Sequence, residues 1–185
     1  GKNRSLELLE APYITRESFV AHSIGHFYTA IGAFAGMSNL HEEGKTMGLA
    51  AYGKESKFLE YFKQYAYSEI DGSYNIDPDF TLAILGNTLG SRFYNWGPQP
   101  EHIQRLWNEL LKLRATPVRK GDDVVTQDDM DIAFAGQAIL EEIVLGLARR
   151  IKEFTWSQYL CAAGGVFFNS VLNGKILRSG LFEDV

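Results

Sequence analysis

Only one of the 185 residues, Cys161, carries a thiol, which excludes an intrachain disulfide and any zinc site built from several thiolates of this chain. Excess basic charge is also missing. Eighteen Lys and Arg against 23 Asp and Glu leave a formal charge of −5. Without a basic face nothing offsets a phosphodiester backbone, so no nucleic-acid partner is expected. No apolar run approaches the roughly 18 residues that a membrane span requires. The first twenty residues lack the basic, apolar and small-residue order of a signal peptide. The expectation is therefore a cytoplasmic protein with no membrane partner. Internal repeats and low-complexity tracts are absent too.

What is present is ordinary globular composition, 45% apolar and 22% charged. That is enough for one domain with a real core and too little for two. Gly1-Lys2-Asn3 begins without a start methionine, and Leu181–Val185 reads as a strand just beginning. Residues 1–185 are thus expected to be a single partial domain, α/β and helix-rich.

The apolar spacing predicts helices. Val20, Ile24, Phe27, Ile31 and Phe34 recur at three- and four-residue steps within 15–34, and Gly36 is a plausible stop. Residues 38–55, punctuated by Gly44, Gly48 and Gly53, predict an irregular loop built for close approach. A short helix follows, with Phe58, Leu59, Phe62 and Tyr65 inward. Asp71-Gly72 predicts the two-residue turn of a hairpin over 68–76. Ile103, Leu106, Trp107, Leu110 and Leu113 predict a helix over 101–113, and 114–127 reads as an exposed polar loop. The longest helix runs from about 128 to 154. Thr126 or Asp128 can cap it, and the acids Asp128, Asp129 and Asp131 suit its positive end. A buried strand over 159–163, with Cys161 as a small buried hydrophobe, then breaks at Gly164-Gly165 into a helix over 168–177.

The Gly164-Gly165 turn carries the first functional reading. A strand, two glycines and a helix bring backbone N–H groups and a helix N-terminus against an anion, and Asn169 can offer its amide to a phosphate or sugar hydroxyl. Paired glycines equally serve a plain tight turn. His22 and His26, four apart, can share a helix face and reach one metal ion, or can simply pack and hydrogen-bond to backbone. Glu43, Lys45 and Gly48 put both charge signs in a glycine-rich stretch. Lys45 can neutralise phosphate and is the one catalytic candidate, while Glu43 can hold a ribose hydroxyl; a salt-bridged surface loop is the alternative. Gly44-Lys45-Thr46 resembles the end of a Walker A loop, but Asn39 stands where its first glycine belongs. No serine lies in an elbow motif, and Cys161 has no basic neighbour to lower its pKa.

Four stretches taken together resemble the nodulation-type and antibiotic O-carbamoyltransferases: residues 22–30 (HSIGHFYTA), 43–53 (EGKTMGLAAYG), 131–137 (DIAFAGQ) and 163–177 (AGGVFFNSVLNGKIL). Ala51 stands where the family usually has Pro. The resemblance implies an actin-like ATPase (ASKHA) fold akin to the threonylcarbamoyl transferases. This chain would be the central part of that domain, a ribonuclease H-like subdomain with a mostly helical insertion at about 54–127. Residues 128–185 would supply helix, strand, glycine turn and helix. It implies that ATP and carbamoyl phosphate yield a carbamoyl adenylate, whose carbamoyl group passes to the hydroxyl of a small-molecule acceptor. Partners would be the rest of the same polypeptide: an upstream segment with a histidine metal motif and a downstream YrdC-like domain. The divalent metal, iron, would take ligands outside residues 1–185, which lowers the metal reading of His22 and His26. Gly164, Gly165 and Asn169, and with them Glu43, Lys45 and Gly48, are implied nucleotide contacts. The fragment alone is expected to be inactive. The alternatives are a threonylcarbamoyl-transferase-like enzyme acting on tRNA and a non-catalytic interaction fragment of the same fold.

Overall fold

The computed structural model describes residues 22–39, 41–89, 99–120 and 123–185. Helix α1 spans Ile24–Phe34, with Ser23 as N-cap accepting from the His26 backbone N–H at 3.3 Å. Residues 15–21 of the expected helix lie outside the described residues. His22 precedes the cap, so it and His26 do not share a helix face.

The stretch expected as a glycine loop is instead helical over Glu43–Ala50, here α2. Each helical glycine costs about 1 kcal/mol relative to alanine, and packing of α2 on the longest helix outweighs that cost. Close approach occurs at Gly53 alone. A Cβ there would collide with the Met130 carbonyl, and the fit lets the Lys54 N–H donate to Asp131 Oδ1 at 3.0 Å.

Helix α3 spans Lys57–Phe62. Strands β1 (Ala66–Ser68) and β2 (Tyr74–Ile76) pair antiparallel, Ser68 opposite Tyr74. The connection is not the expected two-residue turn. Glu69 N–H donates to the Ser73 carbonyl at 2.7 Å, and Gly72 sits at φ +79°. The loop is therefore 70–72, with glycine in the left-handed position that closes a three-residue hairpin. Helix α4 spans Pro78–Thr88; Asp77 caps it, accepting from Asp79 N–H at 2.8 Å, and Pro78 takes the first turn. This helix was not among the expected elements, although Asp77-Pro78 is a helix-start signal. Helix α5, Glu101–Leu113, matches its expected bounds.

Helix α6, Gln127–Thr155, is the spine. Thr126 and Asp129 form a reciprocal capping box, and Trp156 ends the helix at φ +53°. The expected loop at 114–127 is exposed over much of its length, but not at Arg114. Its guanidinium is buried, donating to Asp129 Oδ1 at 2.5 Å and to the Phe34 carbonyl at 2.7 Å. A lone arginine in a polar stretch gives no sign that it will saturate the end of a helix eighty residues away.

Helices α1, α3, α4, α5, the hairpin and the first half of α6 share one core, centred on Phe27, Phe34, Phe62 and Phe80. The Phe34 ring meets Trp107 edge-on at 5.7 Å. A second, smaller cluster joins Tyr28, Leu140, Val144 and Ala148 to Leu172 and Ile176 of the last helix, α7 (Ser170–Arg178), and to Phe182.

The strand expected at 159–163 is not formed as a buried strand. One parallel bridge pairs Tyr159 with Asp184, extended by Leu160 N–H to the Asp184 carbonyl at 3.1 Å. Residues 161–165 are exposed, and Cys161 with them. An apolar strand is buried only when neighbours cover both faces; the described residues supply a single bridging partner. Gly165–Phe168 is a 3-10 turn rather than a direct entry to the helix, and Asn169 is the N-cap of α7, not a residue inside it. The architecture is a helix-rich α/β unit. Among the described residues no helix is long and apolar enough to cross a membrane.

Candidate functional site

A cleft of about 610 Å³ opens between α1, α2 and the turn leading into α7. The starts of three helices border it: Ser23 and Gly25 of α1, Glu43 and Gly44 of α2, and Asn169 of α7, with Gly165 of the preceding turn. Helix N-termini carry unsatisfied N–H groups and a partial positive charge, so three on one cavity favour an anionic ligand despite the negative net charge.

Behind the lining residues Tyr28 and Asn169 runs a polar network. Tyr28 O–H donates to Gln137 Oε1 at 2.7 Å. Gln137 and Asn169 exchange amide hydrogen bonds, Asn169 Nδ2 to Gln137 Oε1 at 2.8 Å and Gln137 Nε2 to Asn169 Oδ1 at 3.2 Å. Gln137 Nε2 also donates to Glu141 Oε1 at 2.7 Å, and Glu141 Oε2 pairs with Lys175 of α7. Asn169 Oδ1 meanwhile caps α7 by accepting from Leu172 N–H at 3.0 Å. Burial pushes the Tyr28 phenol far above its ordinary pKa, so it stays a proton donor. Beside the network, Thr29 Oγ1 donates to Glu43 Oε1 at 2.7 Å, holding that carboxylate at the cleft wall.

The cleft brings together Glu43, Gly165 and Asn169. Asn169 faces inward, its amide engaged by Gln137 and the α7 cap. Gly164, at φ +108°, lines the adjoining apolar groove of about 420 Å³ beside Cys161 and Val144. Lys45 lies elsewhere: its Nζ pairs with Glu42 at 2.5 Å, in a separate depression with Arg119 and Tyr52. Gly48, which is exposed, and His22 and His26, which are half-buried, all stand outside the cleft lining. Burial lowers the His26 pKa, and its Nδ1 has no partner among the described residues. No three His, Cys, Asp or Glu side chains gather among the described residues as a metal site would need.

Sequence reasoning did not single out His41, which stands at the cleft in the left-handed region, φ +70°, or Phe168, 89% exposed at its edge. It also passed over Gln137 and Glu141. Two polar residues four apart on an apolar helix stripe were a signal of a buried network. One further feature separates the glycines. A Cβ on Gly165 or Gly44 would meet no described atom within 4 Å, and neither has a positive φ. The described fold has room for a side chain at both positions.

Comparison with known proteins adds the following. The family described as carbamoyltransferase N-terminus matches residues 2–185. Nodulation protein NolO of Bradyrhizobium diazoefficiens is 34% identical over 170 residues, 91% of this chain and 26% of the relative. Nodulation protein NolNO of Sinorhizobium fredii is 32% identical over 163 residues, 88% of this chain and 20% of the relative. An uncharacterised Synechocystis protein is 30% identical over 164 residues, 89% and 24% respectively. The chain spans about a quarter of the length of these relatives.

Proposed function

We propose, from the premise that this chain belongs to the carbamoyltransferase N-terminal family, that its cleft holds the phosphate and ribose of an ATP-derived carbamoyl adenylate. In the intact protein the carbamoyl group, supplied by carbamoyl phosphate, would pass to a hydroxyl of a small-molecule acceptor. The alcohol oxygen bonds to the carbamoyl carbon and gives up its proton to solvent, the bond from that carbon to the adenylate oxygen breaks, and AMP departs with the bonding electron pair. The actin-like fold, a YrdC-like partner domain and a metal held outside this chain are parts of the same proposal. No residue of this chain is assigned as a metal ligand. On this reading the chain alone does not turn over carbamoyl phosphate.

The observation that carries the reading is the pair of glycines, Gly44 and Gly165, at which the described residues leave a Cβ unobstructed, on a cleft bordered by three helix starts. A glycine that the fold does not require is explained by a ligand that comes against the backbone. The amides after Gly164 stabilise negative charge on the adenylate phosphate, a preorganised electrostatic contribution. Glu43, oriented by Thr29, accepts from a ribose hydroxyl. Asn169 acts by setting the start of α7. Lys45, paired with Glu42 away from the cleft, is not given a catalytic part.

The test is Gly165→Val in the intact protein. We expect a folded enzyme whose stability changes by less than about 0.5 kcal/mol, and whose transfer rate falls by about a hundredfold, the scale of a misplaced substrate. A folded variant with the wild-type rate overturns the reading.

A further inference from the structure

We infer that Gln137 is a positioning residue: a buried carboxylate on α6, acting through its amide, fixes the N-cap of α7 and with it the glycine-turn wall of the cleft. The inference rests on the nucleotide reading for its consequence, but its geometry stands apart from it.

The argument is one of hydrogen-bond polarity. An amide side chain has a donor end and an acceptor end, and buried surroundings decide which way it points. The Glu141 carboxylate, paired with Lys175, accepts from the amide, which calls for the Nε2 end of Gln137. Tyr28, held protonated by burial, donates to Oε1 and demands the same orientation from the other side. With both ends set, Gln137 presents one donor and one acceptor to Asn169, and the cyclic amide pair forms in only one sense. That sense leaves Asn169 Oδ1 directed at Leu172 N–H, which is the cap of α7. Asn169 follows directly on the 3-10 turn Gly165–Phe168, so the Gln137 amide ties that turn to α6 alongside the apolar packing of Val166 and Phe167.

Each donor and acceptor of the Gln137 amide is used, and Tyr28, Gln137, Glu141 and Asn169 are all below 9% exposed. Two further features show that the arrangement does more than pack the core. Lys175, one and a half turns into α7, is tied to the same Glu141, so α7 is held to α6 at two points. The smaller apolar cluster that otherwise joins α6 to α7 is built from few residues. A satisfied buried network of this kind specifies one arrangement where apolar contacts alone would allow sliding.

The experiment compares the intact wild-type protein with Gln137→Met and Asn169→Ser. Methionine keeps the volume and removes every hydrogen bond; serine keeps a capping oxygen for α7 and removes the amide pair. Hydrogen exchange of the backbone amides over 165–173 is measured, together with ATP binding by calorimetry. In both variants we expect exchange over 165–173 at least tenfold faster with the α4 and α5 amides unchanged, and ATP affinity at least tenfold weaker. Exchange at 165–173 equal to wild type in both variants overturns the inference. Faster exchange with ATP affinity unchanged also overturns it, because the network would then be structural only. Where the wild type itself binds no ATP, the nucleotide reading falls, and the exchange comparison alone decides whether Gln137 sets the turn.

Discussion

The helical body, α1 to α6, and the C-terminal segment, residues 156–185, obey different rules. In the body each helix buries its own stripe against another element of the same stretch of chain, and the five central phenylalanines Phe27, Phe34, Phe58, Phe62 and Phe80 are at most 1% exposed. In the segment, apolar side chains stand outside. Six of the twelve exposed large hydrophobics among the described residues fall at 156–185, Trp156 and Phe168 among them. The body carries its partners within itself, whereas the segment is patterned for burial that the described residues do not provide. The cleft lies on the seam between the two, which is where a ligand can meet rigid helix starts on one side and an open glycine turn on the other.

The largest expected effect that would sharpen this contrast comes from the body. Asp129 is fully buried, pairs with Arg114 and completes the α6 capping box. Asp129→Ala is expected to lower stability by about 3–5 kcal/mol, because it leaves a buried guanidinium uncompensated. Trp156→Gly in the segment, where the left-handed backbone suits glycine, is expected to change it by less than about 0.5 kcal/mol. Urea unfolding of the intact protein measures both. A comparable loss at Trp156 would break the contrast and show that the intact protein covers that side chain.

A smaller effect concerns His26, whose pKa burial holds below 6.5. The unfolded chain then takes up a proton before the folded one does. The His26 contribution is fully present above about pH 6.5 and is lost as pH falls through the lower folded value. Thermal unfolding between pH 7.5 and 5 is expected to show a decline that His26→Gln flattens; parallel profiles would show that His26 titrates alike in both states.

The same contrast explains what was legible. Helices α5 and α6 could be placed from spacing because an amphipathic helix satisfies its own backbone and needs only one apolar stripe. The strand at 159–163 could not, because burial of a strand depends on neighbours that a local pattern never names. Helix α2 was hidden by its glycines, whose helix penalty was taken as decisive when packing on α6 overrides it. Of the residues singled out from motif chemistry, Gly165, Asn169 and Glu43 line one cleft. Lys45 was grouped with them by proximity in sequence, but an eight-residue helix turns it to another side. Gln137 and Glu141 escaped notice since their meaning comes from Asn169, more than twenty residues on.

The central claim is that the seam cleft is the nucleotide site. Hydrogen exchange of the intact protein with and without ATP tests it most directly. The account predicts added protection of the amides at 43–44 and 165–172, and none around Tyr52 and Arg119 in the depression that holds the Lys45 side chain. Protection confined to the depression of those three residues, with 165–172 unchanged by bound ATP, would contradict it.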